Sequence, residues 1–182
     1  MIDNERTVSR DIPATIVPYG DLITIPEGTR VTITHRLGGN YTVTWEGGMA
    51  QINGVHGDAI GEEKAEIARP DENHEGPPDE EAVWDAMRKV YDPEIPVNVV
   101  DLGLIYSMVV TPGEDDESKF DVHIDMTLTA PGCGMGPVIA QDVKTKVETV
   151  PGVREATVEI VWEPPWHQDM ISEVGKMELG LL

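Results

Sequence analysis

From Asp21 to Trp45 apolar side chains alternate with polar ones, as Ile23 and Ile25, Val31 and Ile33, then Tyr41, Val43 and Trp45, and the runs are cut by Pro26, Gly28, Gly38 and Gly39. A period of two broken by turn residues predicts short, half-buried strands, and strands at this spacing predict a small β barrel or roll over residues 1–61. The continuation GGMAQINGVHGDAIG places His56 and Asp58 between glycines, a pattern that turn chemistry explains better than half of a metal site. Residues 62–78 hold Pro70, Pro77 and Pro78 among acids without sustained apolar periodicity, and read as an acidic linker with a short turn around Ala65 to Ala68.

Beyond the linker the period changes. Ala82, Val83, Ala86, Met87, Val90 and Tyr91 recur at helical spacing over 80–91, with Asp79 placed to cap the first turn and acids following it. DPEIPVNVVDLG has two prolines and no clear period, so it predicts a loop leading into a strand over 104–110. A second strand over 120–129 sets Val122, Ile124, Met126 and Leu128 against His123, Asp125, Thr127 and Thr129 on the opposite face. Pro137 opens a helix whose Ile139, Val143, Val147 and Val150 form one buried stripe. A last strand over 154–162 turns Ala156, Val158, Ile160 and Trp162 inward, and a short terminal helix carries Met170, Val174 and Met177. The expected fold class is α+β: a β-rich domain at 1–61, a linker at 62–78, and at 79–182 a compact α-β-β-α-β domain with helices packed on a small mixed sheet.

Composition narrows the partners. Thirteen basic and 34 acidic side chains give a formal charge of −21, which argues against nucleic acid and anionic membrane surfaces. Residues 1–78 hold 6 basic and 13 acidic side chains and the remainder 7 and 21, so acidity is shared by both halves and marks neither as a charged tail. One cysteine in 182 residues cannot form an intrachain disulfide, and the N-terminus shows no signal-peptide pattern. A cytoplasmic location is the expectation.

The single cysteine, Cys133, lies in APGCGMG directly after a strand and just before a helix. Free cysteines often pack as small hydrophobes, but a packing cysteine belongs on an apolar stripe, and this one sits in a glycine-rich turn. A helix N-terminus favours a thiolate, and flanking glycines leave it accessible. The antiparallel hairpin followed by a right-handed crossover brings three loops to one sheet edge: DPEIPVNVVDLG, the Cys133 turn and PPWHQDM. Asp92, Glu94 and Asp101 are therefore the candidate companions of the thiol. Each also has a structural use, Asp92 as a turn cap before Pro93 and Asp101 as an acceptor for loop N–H groups. His167 reads as a solvent-facing turn residue or as an imidazole completing the set.

DPEIPVNVVDLGLIYSMVV, MTLTAPGCGMGPVIAQDV, PGVREATVEIVWEPPWHQDMIS and KMELGL, in this order and spacing, resemble the SufT and PaaD-like iron–sulfur cluster assembly domain family from about Ala82 to Leu182. The first half resembles the β-rich extension of SufT-type members. The resemblance implies an accessory factor in assembly, maturation or repair of iron–sulfur proteins and not an enzyme, with a reactive cysteine at Cys133 and acidic loop positions at Asp92, Glu94 and Asp101. Many members have proline after that cysteine, where this chain has Gly134, a change expected to loosen the turn. Because a cluster takes four ligands, mostly thiolates, one cysteine per chain implies a transient iron–sulfur cluster or iron and none stably bound. Carrier, scaffold or client apoproteins are the expected partners, and two chains sharing a cluster would make a homodimer. Two alternatives remain: a cysteine-nucleophile enzyme, and an adaptor whose cysteine is structural.

Overall fold

Leu37 and Asn40 face each other across Gly38 and Gly39, whose φ angles of 60° and 79° supply the left-handed conformation that a two-residue hairpin turn requires. That hairpin joins β4 (Arg30–Leu37) to β5 (Asn40–Trp45). The computed structural model describes residues 3–66 and 71–182, so the middle of the expected linker, with part of the turn around Ala65 to Ala68, lies outside the described residues. β1 (Glu5–Thr7), β2 (Ile12–Ile16), β3 (Leu22–Ile25) and β6 (Gly48–Ile52) complete an antiparallel sheet in the order β1-β4-β5-β6-β2-β3. The expected barrel or roll takes the form of this six-stranded sheet, with β1 and β3 at its two ends. Its core collects Ile12, Ile25, Ile33, Val43 and Ile52 with Ile60, the last residue of a 3₁₀ turn, Gly54–Ile60. Asp58 in that turn pairs with Arg10 at 2.9 Å, so its carboxylate serves an ion pair.

The second half runs α1 (Glu80–Met87), β7 (Ile105–Pro112), β8 (Phe120–Met126), α2 (Gly136–Val147), β9 (Val153–Ile160) and α3 (Glu173–Glu178). Asp79 caps α1 by accepting the Glu81 N–H at 3.0 Å. The sheet order is β7-β8-β9, with β7 antiparallel and β9 parallel to the central β8. Val122, Ile124 and Met126 of β8 are buried with Ile139, Val143 and Val147 of α2 and Val83 and Met87 of α1, as the periods predict. The protein is thus a mixed α+β structure.

Two expected orientations differ, and the terminal helix shows its own. β8 ends at Met126, and Thr127 is buried because its N–H donates to the Leu104 carbonyl where the chain leaves the sheet. Trp162 lies beyond the end of β9 and is 45% exposed, since no strand remains there to hold it against the core. Val174 and Met177 face solvent, at 51% and 61% exposure, while α3 docks through Gly175 and the preceding Ile171. Gly175 decides this, because it lets the helix sit directly against the Asp101 carbonyl and Val97.

The two sheets are packed together. Val17 is buried in the core of the second half and Met49 packs against it, and the Thr42 hydroxyl donates to the Pro93 carbonyl at 3.1 Å. Among the described residues no helix is long and apolar enough to cross a membrane.

Candidate functional site

The loop from Tyr91 to Leu104 is built from turns that satisfy themselves. Asp92 accepts the Glu94 N–H at 2.9 Å, an Asx turn around Pro93, and Asn98 accepts the N–H groups of Val100 and Asp101 at 3.0 and 2.9 Å. Asp101 then reaches outward: one oxygen accepts the Asn98 side-chain amide at 2.7 Å and the other the Ser172 hydroxyl at 2.7 Å, while its carbonyl accepts the Ser172 N–H at 2.8 Å. Trp166 donates its indole N–H to the Leu102 carbonyl at 2.8 Å, and Tyr106 donates to the Pro164 carbonyl at 2.7 Å. The C-terminal segment is therefore laced onto this loop, and Asp101 is the staple between them. The tryptophan of PPWHQDM, rather than His167, performs the structural work of that segment. His167 is exposed, and its acidic partner is the still more exposed Asp169 at 3.8 Å.

Cys133 lies in the turn before α2, half-buried against the same core as Ile95, Val100 and Trp166. Its carbonyl accepts the Gly136 N–H at 3.1 Å, which fixes the turn, and no side chain caps the helix start. Among the described residues no hydrogen bond links its sulfur to Asp92, Glu94, Asp101 or any imidazole. Among the described residues the four sequence candidates form no pre-bonded catalytic set.

Of the three acids, Asp92 has the distinctive electrostatics. Burial pushes its carboxyl above the ordinary aspartate value, against the pull of N–H groups from Glu94 and Ile95. Glu94, two residues on, is exposed.

What the sequence did not disclose is the role of the first sheet in this site. The turn between β2 and β3 lies against the Cys133 turn backbone to backbone. A Cβ on Gly134 would overlap the Tyr19 carbonyl, and a Cβ on Gly20 would overlap the Gly134 carbonyl. Gly134, the residue expected to loosen the turn, is also the one that leaves space for a second strand pair to approach it. Thr42 braces the Asp92 loop in the same way through Pro93. The first sheet touches both loops that carry the candidate residues.

The family model described as "Iron-sulfur cluster assembly protein" matches residues 80–160, the stretch that holds Asp92, Glu94, Asp101 and Cys133. A "Fe-S protein maturation auxiliary factor" of Porphyromonas gingivalis is 48% identical over 103 residues, 57% of this chain and 92% of that protein. The chain belongs to the iron–sulfur cluster assembly protein family. The "Fe-S protein maturation auxiliary factor SufT" of Staphylococcus aureus is 46% identical over 92 residues, 50% of this chain and 98% of that protein. A crystal structure from Bacillus anthracis, described as a domain of unknown function, is 38% identical, with a TM-score of 0.48 and 57% and 92% of the two chains covered. About half of this chain thus accounts for nearly the whole of each relative. The first sheet lies outside the residues that the family model matches.

Proposed function

We propose that this protein is an accessory factor in the maturation of iron–sulfur proteins, carrying iron or a cluster transiently on Cys133 between a donor and a client apoprotein. The observation that carries this reading is the position of the one thiol: a braced, glycine-flanked turn at the N-terminus of α2, within the stretch matched to the family. Cluster or iron is cargo here. A four-ligand cluster exceeds what one thiolate per chain supplies, so the remaining positions fall to a second copy, a partner's cysteines or small exogenous ligands. Weak holding suits transfer, because a carrier must release what it binds. Asp92, whose carboxyl burial pushes above the ordinary aspartate value, is the group we assign to proton uptake or release as the thiolate binds and lets go. Asp101 acts indirectly by fixing the loop. The protein is proposed not to be an enzyme: a cysteine nucleophile needs a base in hydrogen-bond reach, and neither His123 nor His167 bonds to the sulfur.

Anaerobic reconstitution with iron and sulfide tests this. Wild type is expected to develop sulfur-to-iron charge-transfer absorption and, on adding an apo-ferredoxin, to pass the cluster on so that the absorption separates with the ferredoxin, while Cys133→Ser shows neither. Equal absorption and equal transfer by Cys133→Ser would overturn the assignment.

A further inference from the structure

The outer face of the second sheet carries a cluster that the thiol chemistry does not use. His123 and Asp125 lie two residues apart on β8 and so share a face, and Glu159 of β9 stands directly opposite Asp125 in the parallel register. His123 Nε2 is 3.2 Å from Asp125 Oδ1 and 3.5 Å from Glu159 Oε2, and all three donor atoms lie within 4.8 Å of one another. Two donors bound to one first-row ion at about 2.1 Å each are about 3.0–3.5 Å apart at octahedral or tetrahedral angles. Both imidazole–carboxylate distances fall in or at the edge of that range, with an ordinary side-chain adjustment left to the carboxylate pair.

Two further features favour an ion over a plain surface. Opposed carboxylates on adjacent strands repel, and sheets usually set a lysine or arginine across from an acid. Here the nearby cations are engaged elsewhere, Arg154 with Asp121 at 2.5 Å and Lys144 with Glu148 at 2.9 Å. Among the described residues neither Asp125 nor Glu159 pairs with a lysine or arginine, and the side chain they share is the His123 imidazole. The second feature is orientation. Ser107 on β7 donates to Asp125 Oδ2 at 2.9 Å, which turns Oδ1 toward His123, as an outer-shell hydrogen bond turns a metal-ligating carboxylate. Ser107 and Asp125 also border an open cleft of about 660 Å³ with Tyr106, Glu163 and Met170, on the side of Asp125 away from His123 and Glu159, which do not line it.

We propose that His123, Asp125 and Glu159 form a binding site for a divalent first-row transition-metal ion, oriented by Ser107. One imidazole and two carboxylates suit zinc, iron, manganese or cobalt in the divalent state and give calcium and magnesium, which prefer all-oxygen sets, no advantage. Three protein ligands on a solvent-facing sheet make the site open and exchangeable. It stands apart from the proposed role of Cys133 and does not depend on it.

Cobalt(II) is the probe, added anaerobically to the full chain and followed by calorimetry and visible absorption. One ion per chain is expected, with d–d bands and no thiolate charge-transfer band. His123→Ala and Glu159→Gln should each weaken binding by at least about tenfold, as loss of a ligand should exceed the effect of losing an outer-shell partner. Cys133→Ser should leave it unchanged, as should Glu155→Gln, which removes a neighbouring acid on the same strand. Folding of each variant is checked by circular dichroism, and the exposed Glu159 is the position least able to disturb it. A charge-transfer band that vanishes in Cys133→Ser would place the ion on the thiol and overturn the site. Equal losses in Glu155→Gln and Glu159→Gln would overturn it too, by revealing only diffuse attraction to an acidic surface.

Discussion

Asp92 and Asp101 sit in the same loop with opposite work. Asp101 is surrounded by donors, so removing its carboxylate strands the amide of the buried Asn98 and the Ser172 hydroxyl. Hydrogen bonds to charged groups contribute roughly 1.5–3 kcal/mol, and Asp101→Ala is expected to lower unfolding stability by about that much, seen as a reduced urea midpoint with an unchanged slope. Asp92 behaves in reverse. Burial raises its folded-state value above that of the unfolded chain, so the folded state holds the proton more tightly. Its contribution to stability is therefore complete below the unfolded aspartate value near 4 and is lost as pH rises through the raised folded value. Asp92→Asn should flatten the fall in stability across that window, measured by urea unfolding from mildly acidic to neutral pH. A slope identical to wild type would show that other carboxylates govern it.

At the scale of elements, the contact between the β2–β3 turn and the Cys133 turn depends on backbone approach. Gly134 is not among the glycines with positive φ, so what it provides is space. Gly134→Ala should push the two turns apart, at a cost of roughly 1–3 kcal/mol for an overpacked contact, and should speed alkylation of Cys133 by a small thiol reagent. Tyr19→Ala is the control, since Tyr19 is 73% exposed and its nearest approach to Gly134 is through backbone atoms. It should leave both stability and alkylation near wild type. This contact also marks the limit of what was legible in the sequence. The stripe Ile139, Val143 and Val147, the Asp79 cap and the alternation of β8 follow from local periodicity, and the structure has each of them. The approach of residues 19 and 134 has no period, because it is set by how two sheets pack. Trp162 misled for a related reason: apolar identity predicts burial only where a neighbouring element remains to cover the side chain. The position of Cys133 between glycines was readable, and the use of Asp101 as a staple to Ser172 was not, since its partner lies 71 residues away.

At the scale of the whole molecule, the first sheet is a brace shared by two loops and not an independent bead, because Val17 enters the second core and Thr42 bonds Pro93. The relatives matched over nearly their whole length by half of this chain indicate that the second half is a workable unit alone, so residues 79–182 are expected to fold with reduced stability and a more reactive Cys133. Where two copies share a cluster as proposed, the overall charge opposes their approach. A cluster shared between two copies brings together two chains of formal charge −21, and the repulsion acts over a Debye length of about 10 Å at 0.1 M salt, shrinking to about 3 Å at 1 M. Raising ionic strength should therefore increase the cluster-bridged dimer after reconstitution, read by analytical ultracentrifugation alongside sulfur-to-iron absorption. Cys133→Ser should remain monomeric at every salt concentration, because screening permits the approach and only the thiolates hold the two copies together. A dimer of equal abundance in the variant would show that association runs through protein surfaces, with no need for the cluster.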